Sequence, residues 1–237
     1  MDKAFSRAVP LLGESAYKKL SSCRIAVFGL GGVGGYCLEA LARSGVGAFD
    51  IVDNDVIEES NINRQLFALR STVGQLKTHV AAERLKDINP SVDVEEYPVF
   101  YTDENAAMFD FSRYDYIVDA VDTVAAKVSL AVRAQAAGVK IISCMGTGNK
   151  LDPSKLEICD IFSTSVCPLA RVMRSRLKKA GVKALKVVSS CEVPLTASEN
   201  LPVRASGHPV PASCAFVPSV AGLLMASEVV KDILALQ

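Results

Sequence analysis

Residues 24–53, RIAVFGLGGVGGYCLEALARSGVGAFDIVD, admit few folds. Residues 24–30 are an apolar run too short for a helix and rich in β-branched and aromatic side chains, which predicts a buried strand. Gly29, Gly31, Gly32 and Gly34 follow at once. The first permits a tight turn, the second lets backbone approach a phosphate, and the last lets a helix pack closely. Residues 33–44 read as that helix, ended by Gly45 and Gly47, and residues 48–53 as a second strand. A right-handed parallel crossover is the strong default for such a unit. The helix N-terminus offers amide donors to an anion. Asp53 ends the second strand 19 residues past Gly34, where a carboxylate can accept hydrogen bonds from a ribose.

The alternation continues downstream. Residues 73–89 have helical spacing (Val73, Leu76, Val80, Leu85, Ile88) and stop at Asn89-Pro90; 92–99 and 115–121 read as strands, 125–137 as a helix ended by Gly138, and 139–144 as a strand. Beyond Met145 come a strand at 156–161, a helix at 168–180, a strand at 184–190, a proline-rich loop at 192–213 and a final helix from about 219 to 236 that should cover the sheet. A short helix at 13–20 follows a polar lead. The whole is an α/β chain: a Rossmann-like, doubly wound, mainly parallel sheet with a C-terminal α/β extension. We expect a single unit over 1–237, with an N-terminal helical arm (1–22), a nucleotide-binding core (23–145) and an extension carrying a basic helix and a long loop (146–237).

Composition narrows the function classes. The 237 residues are half hydrophobic with 26 basic against 26 acidic side chains, the balance of an ordinary globular chain. No apolar run is long enough for a membrane span, and the opening MDKAFSRAVP lacks a signal-peptide core, so a cytoplasmic protein is expected. Seven cysteines lack C-x-x-C spacing, which argues against a structural zinc. With only His79 and His208, a histidine-based hydrolase is disfavoured. Charge is uneven locally: between Asp160 and Glu192 lie Arg171, Arg174, Arg176, Lys178, Lys179, Lys183 and Lys186 with no acidic residue. Arg171, Arg174 and Lys178 share one helical face, either a solvated surface or a footprint for a nucleic-acid backbone.

The strand-glycine-helix unit alone would suit a nicotinamide enzyme, but residues 53–65 are too polar for a crossover helix. They read D-x-D-V-x-x-x-S-N-x-x-R-Q, and this segment resembles the adenylating superfamily of ubiquitin-activating-type enzymes. F-S-R (5–7), L-L-G-E (11–14), V-G-Q-L-K (73–77), V-D-A-V-D-T (118–123), T-S-V-C-P-L-A-R-V-M-R (164–174) and F-V-P-S-V-A-G (216–222) make it look most like the tRNA threonylcarbamoyladenosine dehydratase branch. The resemblance implies ATP and Mg2+. It puts the ribose on Asp53, the triphosphate on Arg64 and Lys77, the metal and reacting phosphate on Asp122, and a trans-acting arginine of a homodimer on Arg7. Asp55, Asn61 and Gln65 join the nucleotide site with Gly29, Gly31, Gly32 and Gly34. It implies a tRNA substrate whose threonylcarbamoyl carboxylate is adenylated and then cyclised.

Departures bear on the substrate. The paired C-x-x-C motifs common in sulfur-carrier branches are missing, so adenylation of a ubiquitin-like carrier ranks second; a catalytically dead nucleotide-binding scaffold and a nicotinamide oxidoreductase follow. Thr123 and Lys127 stand where relatives often have asparagine and arginine, which leaves Lys127 open as a ligand. Cys214, just before F-V-P-S-V-A-G, is a candidate reactive cysteine, although a buried structural role is favoured. Cys167 is undecided, and whether a sulfur-relay partner takes part is open at this level.

Overall fold

Residues 3–196 and 210–236 are described in the computed structural model of the chain. Among them, seven strands form one sheet: β1 (Arg24–Phe28), β2 (Ala48–Val52), β3 (Asp93–Tyr97), β4 (Tyr116–Asp119), β5 (Lys140–Cys144), β6 (Leu156–Asp160) and β7 (Lys186–Ser190). Their spatial order is β3-β2-β1-β4-β5-β7-β6, parallel throughout except for β6 against β7. The order reverses between β1 and β4. At such a switch point the crossovers leave on opposite faces, and a crevice opens beyond the strand C-termini.

Side-chain alternation assigns the faces. Ile25 and Val27 of β1 pack with α3 (Gly34–Arg43), α4 (Lys77–Ile88) and α7 (Phe216–Leu234). Ala26 and Phe28 turn the other way, toward Ala126, Leu130 and Ala134 of α5 (Val124–Ala137). On that second face α6 (Pro168–Lys179) buries Ala170, Met173 and Leu177 beside Val187 of β7. The strands after residue 146 therefore extend the same sheet, and α7 returns across it to pack on α3.

Several boundaries differ from the sequence reading for physical reasons. The α4 helix begins at Lys77, not at 73. Val73 and Leu76 have helical spacing yet are 44% and 40% exposed, because residues 74–77 bond instead to 55–57: Gly74 N–H to Ile57 O, Ile57 N–H to Gln75 O and Lys77 N–H to Asp55 O. The last helix starts at Phe216 rather than near 219; Pro218 falls in the first turn, where a missing N–H costs no helical bond. The polar lead is not free. Phe5 is buried against Tyr17, and a short helix, α1 (Val9–Leu12), precedes α2 (Glu14–Ser21). Most of the expected 192–213 loop, with His208, lies outside the described residues.

The α3–α7 contact depends on a missing side chain. A Cβ at Gly222 would sit 2.3 Å from the Val33 carbonyl oxygen and 2.9 Å from the Cys37 nitrogen, backbone atoms that cannot step aside. Gly222→Ala should therefore destabilise the chain by about 1–3 kcal/mol, the usual range for overpacking. Urea unfolding reads the effect, and a midpoint equal to wild type would mean that α7 can lift off α3 freely.

Candidate functional site

The crevice at the switch point is a cavity of about 1060 Å³. Its floor is set by backbone sterics. Gly29 has φ +90°, and a Cβ there would meet the Ala120 carbonyl oxygen at 2.7 Å, so the ends of β1 and β4 touch through this residue. A Cβ on Gly34 would fall 1.8 Å from the Gly29 carbonyl oxygen. Gly34 thus lets α3 start directly above β1 and does not itself line the cavity, whereas Gly29, Gly31 and Gly32 do.

Asp53 stands at the centre of one wall. Its Oδ2 accepts the Leu30 N–H at 2.7 Å and its Oδ1 the Asp55 N–H at 2.9 Å, which ties the glycine turn to the D-x-D segment. Lys77, only 4% exposed, places its Nζ 2.7 Å from Asp55 Oδ2 and 3.9 Å from Asp53 Oδ1. Burial pushes the Asp53 carboxyl above its ordinary range, against the pull of the Lys77 ammonium and the two backbone donors. As the first residue of α4, Lys77 sits at this wall because the 55–57 and 74–77 backbones pair.

The other expected residues divide. Arg64 lines the cavity with its carbonyl oxygen and Cγ beside Gly32, and its Nη1 donates to Ser60 O (2.9 Å) and Asn63 Oδ1 (2.8 Å). Asn61 and Gln65 also line it, although the Asn61 amide accepts the Glu58 N–H and closes the turn at 59–61. Asp122 is exposed on the opposite wall, and Thr123, not Asp122, takes the N-cap position of α5. Arg7 is exposed and lies outside the cavity of its own chain. Cys214 is half-buried, with its Sγ 3.8 Å from Lys150 O, and is not among the cavity-lining residues. Cys167 is buried.

Lys127, left open by the sequence, does not line the cavity: it is 1% exposed, and its Nζ donates to Asp119 Oδ1 (3.1 Å), Ser143 Oγ (3.2 Å) and Cys144 O (2.8 Å). Within the basic run, Arg174 is half-buried with its Nη1 donating to Thr164 O at 2.8 Å, and Lys186 pairs with Glu228 and Asp232. Arg171, Arg176, Lys178, Lys179 and Lys183 stay exposed. Sequence reasoning missed Val99, Phe100 and Tyr101 and residues 145–148, all lining the cavity; their only signal was their position beyond strand C-termini.

Known proteins share this sequence and this architecture. The model of the ThiF family matches residues 5–236. The chain is 41% identical over 240 residues to the tRNA threonylcarbamoyladenosine dehydratase of Bacillus subtilis (strain 168), covering 97% of this chain and 94% of that one. Solved structures of the E. coli tRNA N6-threonylcarbamoyladenosine dehydratase superpose closely. The AMP complex has a TM-score of 0.90 at 30% identity and the ATP complex 0.88 at 31%; each comparison covers 98% of this chain and 94% of the other.

The wall chemistry is directly testable. Removing the ammonium with Lys77→Met should raise the Asp53 carboxyl further, because burial then acts with only the two N–H donors against it. A carboxyl carbon titration by NMR reads the shift; an unmoved or lowered midpoint would show that Lys77 does not govern the charge on Asp53.

Proposed function

The chain belongs to the ThiF family, and from that premise we propose that it uses ATP to dehydrate N6-threonylcarbamoyladenosine at position 37 of a tRNA. The threonylcarbamoyl carboxylate is adenylated, and its ureido oxygen then closes a ring on the activated carbonyl with release of AMP. The observation that carries the reading is the convergence on one cavity of the glycine turn, Asp53 with Lys77, Arg64 and, across from them, Asp122. The dehydratases of B. subtilis and E. coli, with the ATP and AMP complexes of the latter, support it.

In this reading the nucleotide lies along Gly29–Gly32 with its ribose on Asp53. In-line attack on the α-phosphate spreads negative charge over its oxygens and the leaving pyrophosphate, so the protein's work is positioning and electrostatic stabilisation. The Arg64 fork grips two oxygens, and Lys77 adds a point charge whose burial strengthens it. A magnesium ion fits this site through Asp122. No group of three or more acidic, cysteine or histidine side chains that could cage a metal exists among the described residues. Mg2+ needs none, since it is commonly held by one or two carboxylates, waters and the substrate's phosphates. When bound, it would neutralise phosphate charge.

The tRNA would follow the exposed side of α6, whose first turn reaches the cavity at Leu169. A homodimer would bring the exposed Arg7 of one subunit to the nucleotide of the other. No helix among the described residues is long and apolar enough to cross a membrane, in keeping with a cytoplasmic setting for this chemistry.

Pyrophosphate exchange with threonylcarbamoylated tRNA tests the reading. Asp122→Ala and Arg64→Ala should each lose about 2–4 kcal/mol of transition-state stabilisation, the range for removing one aligned electrostatic group, with unchanged thermal unfolding. Exchange within threefold of wild type in both variants would reject the assignment. For the RNA surface, Arg171→Ala with Lys178→Ala should weaken tRNA binding and flatten its log–log salt dependence by roughly 0.7–0.9 for each phosphate that is no longer neutralised. ATP affinity should hold. An unchanged slope in filter binding removes α6 from the RNA interface.

A further inference from the structure

Pro211 and Ser213 line the cavity, whereas Ala212 between them does not. This short strap is tied at both ends. On one side Asn149 exchanges two hydrogen bonds with Ala212: its N–H donates to Ala212 O at 2.7 Å, and its Oδ1 accepts the Ala212 N–H at 2.7 Å. The Asn149 carbonyl oxygen also accepts the Leu195 N–H at 2.8 Å. On the other side Asn63 Nδ2 donates to Ser213 O at 2.9 Å. Asn149 follows β5 and Asn63 belongs to the segment after β2, so the strap joins elements from the two sides of the β1–β4 switch point.

The seat of the strap is specific. Asn149 has φ +59°, a left-handed conformation that is sterically unfavourable for a residue with a Cβ and that asparagine tolerates better than most. A Cβ at Gly148 would lie 2.6 Å from Pro211 Cβ, so the strap rests directly on the backbone before the clamp. At the far end, Asn63 Oδ1 accepts from Arg64 Nη1 at 2.8 Å, and the same Nη1 donates to Ser60 O at 2.9 Å. The orientation of the Asn63 amide is unambiguous, because a guanidinium only donates and a carbonyl only accepts. Two acceptors on one guanidinium nitrogen engage both its hydrogens and fix the plane of the group; with one acceptor the fork can turn. A chain of hydrogen bonds thus leads from Asn149 through Ala212 and Ser213 to Asn63 and Arg64.

We propose that Asn63 and Asn149 are positioning residues for adenylation: the strap that they hold fixes the plane of the Arg64 guanidinium. The inference rests on the reading above, in which Arg64 meets the triphosphate. Neither asparagine is among the cavity-lining residues, so both act through the group they hold. The consequence falls on turnover more than on ATP binding. An Arg64 released from the strap keeps its charge and still attracts the nucleotide. It loses its alignment with the oxygens on which charge grows during in-line attack, and only interactions that are stronger in the transition state than in the ground state raise kcat.

The test is pyrophosphate exchange by the full-length enzyme with threonylcarbamoylated tRNA at varied ATP. Asn149→Gly removes the side-chain acceptor alone, because glycine takes φ +59° without strain. Asn149→Asp keeps an acceptor and tolerates the same φ. Asn63→Ala cuts the link between strap and arginine. Asn149→Gly and Asn63→Ala should each lower kcat about 10-fold, the upper range for one hydrogen bond, and leave the KM for ATP within about threefold. Asn149→Asp should hold exchange within about twofold of wild type, since its carboxylate still accepts the Ala212 N–H. In an Arg64→Ala background, Asn149→Gly should cost no more than about twofold, because a residue that acts through another has nothing further to lose once that one is gone. A further loss of about 10-fold in that background, an unchanged kcat in Asn149→Gly, or equal losses in the glycine and aspartate variants overturns the proposal. If Asn63→Ala does not fold, the two Asn149 variants decide alone. A wild-type enzyme that exchanges no pyrophosphate on this RNA, or an Arg64→Ala enzyme within about threefold of wild type, overturns the underlying adenylation reading instead, before either asparagine is changed.

Discussion

Gly34 resting on the Gly29 carbonyl is the contact from which the rest of the architecture takes its position. With no Cβ in the way, α3 begins directly over the end of β1, and the same absence at Gly29 brings the end of β4 against it. The switch point is therefore narrow, and the glycine turn leading into α3, Gly29 to Val33, borders the cavity. Gly222 repeats the device one layer out, seating α7 on the backbone of α3. A methyl group at any of these three places would have to move backbone, so the sheet, its covering helices and the cavity floor are fixed by one set of steric contacts.

On that frame the protein lays buried charge at the C-terminal ends of the strands. Asp53 follows β2 and faces Lys77; Asp119 ends β4 and holds Lys127; Lys150 lies beyond β5 under Gly146. Burying ions is seldom a gain in stability over a well-packed apolar core. Their concentration around one cavity fits a site that must receive a triphosphate and release pyrophosphate and AMP, where aligned charge lowers barriers because it need not reorganise. Elsewhere, buried charge holds elements together: Glu39 joins Arg84 of α4 to α3, and Asp232 of α7 takes Lys186 and the Tyr116 hydroxyl.

The sheet, the glycine turn and Asp53 at the end of the second strand were legible in the sequence because each rests on local rules, whereas the place of Arg64, Lys77 and Asp122 beside them was implied by the family resemblance. Apolar runs of strand length, glycines where a Cβ cannot fit and polar segments too rich in charge for a crossover helix are properties of neighbours along the chain. The charged side chains that face the cavity were settled only by assembly. Arg174 turns to Thr164, ten residues away, Lys186 to Asp232, 46 away, and Lys77 to Asp55, 22 away. Lys127 has the composition of a ligand and the surroundings of a core residue. Residues 74–77 looked helical until they found residues 55–57 to pair with. Residue type states what a group can bond to. Which partner it meets, and whether it keeps a charge toward solvent, is decided by elements distant in sequence that come together only when the sheet is complete.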